Sequence, residues 1–286
     1  MIWLNGAILA AEQARIDPAD RGLTLADGLF ETLRAYRGKP FRLGDHLKRL
    51  VEGAAALGIS PPYPTAEIAA AVVELLQANA LTAQDAALRI TLTRGTGPRG
   101  LAPPKGVHPT LLITAVPYHP LPEACSAAIA SIRRNEGSPL SRLKSLAYLD
   151  NVLAAREVEE KGAEEAILLN NAGKVACAAR ANLFALVGDH LVTPPIGDGV
   201  LPGIARRTVL ELVQDLGIAA EERSLRPADL AQAREILLTN SLFEIRSVAK
   251  LDGRVLVAGE IAARLHGAYR EMAASLAVAM TKPESH

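Results

Sequence analysis

Five stretches of this chain hold residue types that can do chemistry. The first is Arg142-Leu143-Lys144-Ser145-Leu146-Ala147-Tyr148-Leu149-Asp150-Asn151, near the middle of the sequence. Lysine is normally a surface residue, yet Lys144 sits between Leu143 and Leu146. In a dry pocket an ammonium loses hydration and its pKa falls. The free amine is then available to form an imine with an aldehyde. The same spacing also suits a lysine whose stem lies on an apolar surface and whose head stays in water.

The second stretch is Leu201-Pro202-Gly203-Ile204-Ala205-Arg206-Arg207. A glycine just before a helix presents unpaired backbone N–H groups, and the helix dipole favours an anion there. Leu238-Thr239-Asn240-Ser241 places a hydroxyl and an amide at a strand end, where they can meet phosphate oxygens or simply cap a turn. Arg49, beside the apolar stripe of a helix, can reach an anion from a rigid element or lie on a solvated face. The loop Arg94-Gly95-Thr96-Gly97-Pro98-Arg99-Gly100 can shape a carboxylate clamp, because guanidinium grips carboxylate with two parallel bonds. Asp27 and Glu31 could make a carboxylate pair, but Asp27-Gly28 reads better as a turn.

Composition narrows the classes. With 286 residues, 49% of them hydrophobic, the chain can build one large core or two ordinary ones. Lys+Arg and Asp+Glu are both 31, and no basic run marks a nucleic-acid partner. Two cysteines, Cys125 and Cys177, exclude a disulfide scaffold. Neither they nor the six histidines show metal-ligand spacing, so no metal is expected. No apolar stretch approaches the ~20 residues of a membrane helix. Met1 to Asn5 lacks the basic segment and long apolar run of a secretion signal, so a cytoplasmic protein is expected.

The positioning elements read as alternating strands and helices. Asn5-Gly6 predicts a hairpin, Asp17 to Gly22 a turn-rich loop, and the segment ending at Tyr36 a strand that turns back near Phe41. Leu43 to Leu57 carries apolar residues at helical spacing and closes on Gly58. A second helix runs from about Thr65, its expected cap, to Ala80, and strands follow at 87–93 and 110–116. Pro117 to Pro122 has linker composition, so the expected division is a domain over 1–116, a linker over 117–122 and a second domain over 123–286. The second half reads as strands at 127–132, 166–169, 174–178, 182–187, 191–193 and 235–239, with helices at 149–160, 203–216 and from 261 to about 279, and a frayed end.

Taken in order, Arg21-Gly22, Asp27-Gly28-Leu29-Phe30-Glu31, His46-Leu47-Lys48-Arg49-Leu50, Thr93-Arg94-Gly95, Lys144-Ser145-Leu146, Asn182-Leu183-Phe184, Gly203-Ile204-Ala205-Arg206 and Leu238-Thr239-Asn240-Ser241 resemble the class IV (fold-type IV) pyridoxal-phosphate enzymes. That group includes D-amino-acid transaminases, branched-chain aminotransferases, (R)-selective amine transaminases and aminodeoxychorismate lyases. The resemblance covers nearly the whole chain. It implies an α/β (α+β) fold of two domains, a smaller N-terminal α/β domain and a larger C-terminal pseudobarrel, with pyridoxal 5'-phosphate in the cleft between them. It also implies a homodimer.

Roles follow by position. The resemblance implies that Lys144 holds the cofactor as an internal aldimine and that Arg49 meets its phosphate. Gly203, Ile204 and Ala205 match the backbone phosphate cup, and Ser241, with Asn240, its hydroxyl side. Tyr148 falls near the tyrosine beside the cofactor's phenolic oxygen. Arg99 matches a substrate-carboxylate residue of the D-amino-acid branch, and Phe30 a tyrosine near the substrate. One position departs. Where relatives place a glutamate against the pyridine nitrogen, this chain reads Cys177, and a thiol cannot stabilise a pyridinium as a carboxylate does. The expected activity is transamination between an amino acid and a 2-keto acid, with the D-amino-acid type favoured by Gly97-Pro98-Arg99. Aminodeoxychorismate lyase is the alternative within the family, and a ligand-binding member without turnover the alternative outside it.

Overall fold

The structure, a computed structural model, describes residues 1–103, 105–257 and 259–279. The frayed end expected after Ala279 lies outside the described residues. The chain divides into two compact units, one of Met1–His119 with Leu143–Ala147 and the chain from Ala274, the other of Pro120–Arg142 with Tyr148–Ala273. Lys144 was expected in the second domain. It packs with the first because the Phe30 N–H donates to the Lys144 carbonyl at 2.9 Å and the Leu146 N–H to the Gly28 carbonyl at 3.0 Å.

The first unit is an antiparallel six-stranded sheet of order β2-β1-β6-β5-β3-β4. Its strands are β1 (Ile2–Leu4), β2 (Ala7–Leu9), β3 (Gly28–Tyr36), β4 (Lys39–Pro40), β5 (Ala86–Thr93) and β6 (Thr110–Pro117). Asn5 (φ 47°) and Gly6 (φ 95°) make the expected hairpin turn between β1 and β2. Helices α2 (Leu43–Leu57) and α3 (Thr65–Ala78) lay their apolar stripes on one face of the sheet. Leu47, Leu50, Ile68, Val72, Leu75 and Leu76 meet Leu29, Leu33, Leu88, Ile90 and Leu92 there. Each such side chain contributes roughly 2 kcal/mol by leaving water. Gly58 ends α2 in the left-handed conformation, as its position suggested. Pro64, not Thr65, is the cap residue of α3, and no side chain caps that end. The loop expected at 17–22 instead runs into a short helix, α1 (Arg21–Leu25), because the Asp20 carboxylate accepts from the Gly22 N–H at 2.7 Å.

Polar side chains tie this unit together. Asp20 also accepts from the Thr93 hydroxyl (2.9 Å) and the Thr110 hydroxyl (2.7 Å), joining α1 to β5 and β6. Asp27 pairs with Arg21 (2.9 Å) and Arg94 (2.7 Å). Arg94 donates onward to the Leu57 and Gly58 carbonyls at the end of α2, and Arg21 to those of Gly100 and Leu101.

The second unit is a nine-stranded mixed sheet, β12-β11-β10-β13-β14-β7-β8-β9, with β15 on β14. The strands are β7 (Ala124–Arg134), β8 (Glu165–Asn170), β9 (Val175–Ala178), β10 (Asn182–Val187), β11 (His190–Thr193), β12 (Ala220–Glu222), β13 (Ile236–Asn240), β14 (Glu244–Leu251) and β15 (Arg254–Val255). The sheet curls until its ends meet: Val175 of β9 bridges Leu225, just past β12, with Val175 N–H donating to the Leu225 carbonyl at 2.8 Å. Helices α4 (Leu149–Glu159), α5 (Ile204–Asp215) and α6 (Pro227–Gln232) complete the unit, with α7 (Glu260–Ala279) as far as Ala273. No helix among the described residues is long and apolar enough to cross a membrane.

Candidate active site

In the first unit, strand β3 organises the chemistry. Leu29 bridges Ser145, so the lysine segment lies against the Gly28–Phe30 end of the strand as a short added strand. The Lys144 Nζ comes to rest 4.4 Å from the centre of the Phe30 ring. The Arg89 guanidinium, on neighbouring β5, lies 3.9 Å from the same centre. Cations are drawn to an aromatic face, so this ring holds the amine in place. Arg89 was not singled out in the sequence because it reads as an outward charge in an alternating strand. Its only sequence signal is register: it stands two residues before Thr91, which pairs with Phe30.

One residue further along β3, Glu31 is 1% exposed and takes both oxygens to Arg49, at 2.8 Å from Nε and 2.7 Å from Nη2. His46 Nδ1 lies 2.6 Å from Glu31 Oε2. Burial alone would raise the Glu31 pKa, but hydrogen bonds from Arg49 and His46 and the Arg49 charge hold it at about 2. Burial also pushes His46 below its ordinary range, against the pull of Glu31. The carboxylate is therefore ionised and the imidazole neutral, with its proton on Nδ1 and a buried Nε2 that has no partner. Asp27 belongs to the Arg21–Arg94 group, so Asp27 and Glu31 do not form a carboxylate pair. In the 94–99 loop Arg94 is buried in structural bonds, leaving Arg99 as its exposed guanidinium.

The second unit carries the anion-binding geometry. Gly203 precedes α5 with no side-chain cap, while Ile204 and Ala205 are buried. The first-turn N–H groups of a helix have no intrahelical acceptor. Buried and uncapped, they suit a phosphate. Gly203 is required by close approach: a Cβ there would run into the Asn182 carboxamide oxygen, whose Nδ2 donates to the Leu201 carbonyl at 3.0 Å. Asn240 spends its amide on structure. Its Oδ1 accepts from the Leu242 and Phe243 N–H groups (2.9 and 3.0 Å), and its Nδ2 donates to the Arg180 carbonyl (3.1 Å). Ser241 stands on the turn that results. Tyr148 is the half-buried residue before α4.

Cys177, on β9, is buried among Ala128, Ala130, Ala154, Val158, Ala166 and Leu168. Burial raises its pKa against the pull of Arg134, so the thiol is neutral. Arg134 donates to the Gly199 carbonyl at 2.6 Å and the Ser141 carbonyl at 2.7 Å. Among the described residues no cluster of potential metal ligands occurs.

Within the first unit the Lys144 amine, fixed over Phe30, can form an imine with an aldehyde, and within the second the uncapped N-terminus of α5 suits a phosphate. Residues 28–251 match the model of the amino-transferase class IV family. The chain is 36% identical over 277 residues to a putative branched-chain-amino-acid aminotransferase of Methanocaldococcus jannaschii, covering 95% of this chain and 96% of that one. It is 32% identical over 254 residues to aminodeoxychorismate lyase of Bacillus subtilis, covering 88% and 87%. In structure it is similar to a branched-chain aminotransferase from Thermoproteus uzoniensis solved with norvaline, with a TM-score of 0.91, 33% identity, and 96% and 94% of the two chains covered. The chain therefore belongs to the class IV aminotransferase family, whose members are enzymes that use pyridoxal 5'-phosphate.

Proposed function

We propose that this chain is a transaminase that moves an amino group between an amino acid and a 2-keto acid, with Lys144 as its catalytic residue. The observation that carries this reading is the fixing of Lys144 by two backbone bonds to β3 with its amine against Phe30. By the resemblance, Arg49, the Ile204 and Ala205 N–H groups beside Gly203, and the Ser241 hydroxyl would hold the phosphate; Asn240 shapes the turn on which Ser241 stands. Bound pyridoxal phosphate supplies an electrophilic aldehyde and an electron-accepting ring. Lys144 would hold the cofactor through its aldehyde, and its amine, once freed, would move the proton at the substrate Cα. Tyr148 is assigned to the phenolic oxygen of the ring. Arg89 and Arg99 are the guanidiniums offered to the substrate carboxylate, Arg89 from beside the lysine and Arg99 from the exposed loop.

On the donor, sequence expectation favoured the D-amino-acid type. The similar relatives shift the preference to a branched-chain substrate, with Phe30 lining its side chain. The lyase reading is kept because a named lyase is similar over most of the chain. Parallel incubation with D-alanine, L-leucine, (R)-1-phenylethylamine and aminodeoxychorismate decides among them. Keto product that depends on an added keto acid is expected with L-leucine. Pyruvate released from aminodeoxychorismate without an acceptor would make the chain a lyase, and silence on all four would make it a binder. A homodimer is the assembly proposed: Leu149 (68% exposed), Val152 (58%) and Leu153 (44%) form an apolar face on α4 of the kind that marks an interface.

Cys177 sets the character of the ring site. A neutral thiol in an apolar cluster offers no charge to a protonated pyridine nitrogen, so the ring works as a weaker electron sink. Cys177→Glu restores a carboxylate beside Arg134, and turnover is expected to rise roughly tenfold, the equivalent of one pKa unit of stabilisation. Steady-state kinetics on the folded variant would show it. Unchanged turnover removes this account of the site.

A further inference from the structure

A further buried ion group closes the far end of the turn that carries Ser241. Asn240 and Glu244 face each other across β13 and β14, so the segment between them is a tight connection with Ser241, Leu242 and Phe243 at its tip. Asn240 braces the near end. Glu244 braces the other. It adopts φ 67°, in the left-handed region that residues with a Cβ rarely occupy. Such a backbone costs of order 1–3 kcal/mol and persists only where surrounding contacts enforce it. Those contacts are present. The Glu244 carbonyl accepts from the Thr239 hydroxyl at 2.7 Å. Its carboxylate is 1% exposed, and Oε2 accepts from His266 Nε2 at 2.7 Å and from Arg270 Nε at 3.2 Å. His266 and Arg270 both stand on α7, one helical turn apart, and Glu123 flanks them at 3.9 and 3.6 Å.

None of these residues has a place in the chemistry proposed above. Their arrangement is costly, since it buries a carboxylate and holds a strained backbone. It lies at the base of a turn whose near end is braced by Asn240. We propose that Glu244, His266 and Arg270 are positioning residues: through them α7 clamps the 240–244 turn in the conformation that presents Ser241 to the cofactor phosphate. The inference rests on the assignment of Ser241 to the phosphate. It predicts that loosening the clamp weakens recognition of the phosphate and leaves recognition of the rest of the cofactor alone.

The test compares release of pyridoxal 5'-phosphate with release of pyridoxal, which lacks the phosphate, from the loaded full-length chain. In the unaltered chain the phosphorylated form is expected to leave much more slowly. Ser241→Ala is expected to narrow the ratio of the two rates. His266→Ala and Glu244→Gln are each expected to narrow it about five- to tenfold, a difference of roughly 1 kcal/mol or slightly more, by speeding release of the phosphorylated form only. His266→Gln, whose amide can still donate to Glu244, restores most of the ratio. If Ser241→Ala narrows the ratio while His266→Ala and Glu244→Gln do not, the clamp is overturned and the phosphate assignment stands. Equal acceleration of both forms in the clamp variants also overturns it, because that is general loosening. If Ser241→Ala has no effect, the assignment of Ser241 falls and the clamp's stated role falls with it.

Discussion

Lys144→Ala is expected to lower transamination by at least about 10³-fold, the scale at which loss of a positioned general acid–base and nucleophile is felt. Stability is expected to change by less than about 1 kcal/mol, as is usual for a truncation that leaves no buried group unsatisfied. The two effects separate because the backbone and the side chain of this residue do different things. The bonds that dock the segment, Phe30 N–H to the Lys144 carbonyl and Leu146 N–H to the Gly28 carbonyl, survive the substitution. Only the amine over Phe30 is lost. Lys144→Arg keeps a cation on the ring but cannot form the imine, so it is expected to be as inactive as the alanine variant. Rates with saturating amino acid and keto acid, read beside a denaturation curve, check both statements. Activity within tenfold of the unaltered chain in either variant would remove Lys144 from the mechanism.

Glu31→Gln is expected to cost about 3–5 kcal/mol of stability, the range found when one partner of a buried ion pair is removed. Arg49 would keep its charge and lose the carboxylate that fixes its guanidinium at 2.8 and 2.7 Å. The same carboxylate makes the fold sensitive to acid. Its pKa is depressed from 4.5 to about 2 in the folded chain, so its contribution is present above 4.5 and is lost as the pH falls from there toward 2. That loss amounts to about 3 kcal/mol. His46 acts in the same direction. Its folded pKa lies below the ordinary 6.5, so the unfolded chain binds its proton first and stability begins to fall below about pH 6.5. Denaturant midpoints at pH 7, 5.5 and 4 are expected to fall steadily in the unaltered chain. In Glu31→Gln they are expected to start lower, with the drop below 4.5 reduced. A variant as stable as its parent at pH 7 would show that the pair contributes little.

The half-buried Lys144, the glycine before α5 and the Ser241 turn were legible because their signals are local: an isolated residue type against a short-range pattern. The amphipathic helices α2 and α3 and the hairpin at Asn5-Gly6 were legible for the same reason. What was hidden is the pairing of charges far apart in the sequence. Arg49 looked like an anion ligand or a solvated charge; nothing near it in sequence announces that Glu31, itself bonded to His46, will grip it. Arg94 looked like half of a substrate clamp, and its guanidinium is instead spent on Asp27 and the end of α2. Strand β14 escaped for a related reason. Glu244 and Arg246 break its apolar alternation, and only the folded sheet supplies what lets them be buried. Arg246, 2% exposed, reaches the Pro122 and Ala124 carbonyls, with Glu164 and Glu165 beside it. Arg89 was missed because a charge in an alternating strand carries no mark of the ring it will lie on.

The return of Leu143–Ala147 to the first sheet bears on how the chain is made. β4 pairs with β3 only at Ala35 and Tyr36, so the Gly28–Phe30 end of β3 is a bare edge until the lysine segment arrives. A chain emerging from its N-terminus completes the other strands of that sheet well before Lys144 is synthesised. In that interval the Phe30 N–H and Gly28 carbonyl offer a docking rail to any extended peptide, a recognised route to aggregation. The segment that brings Lys144 is also the one that seals the rail. Protection from mispairing and the fixing of the Lys144 amine over Phe30 are thus gained in the same step, and a product truncated at His119 would have neither.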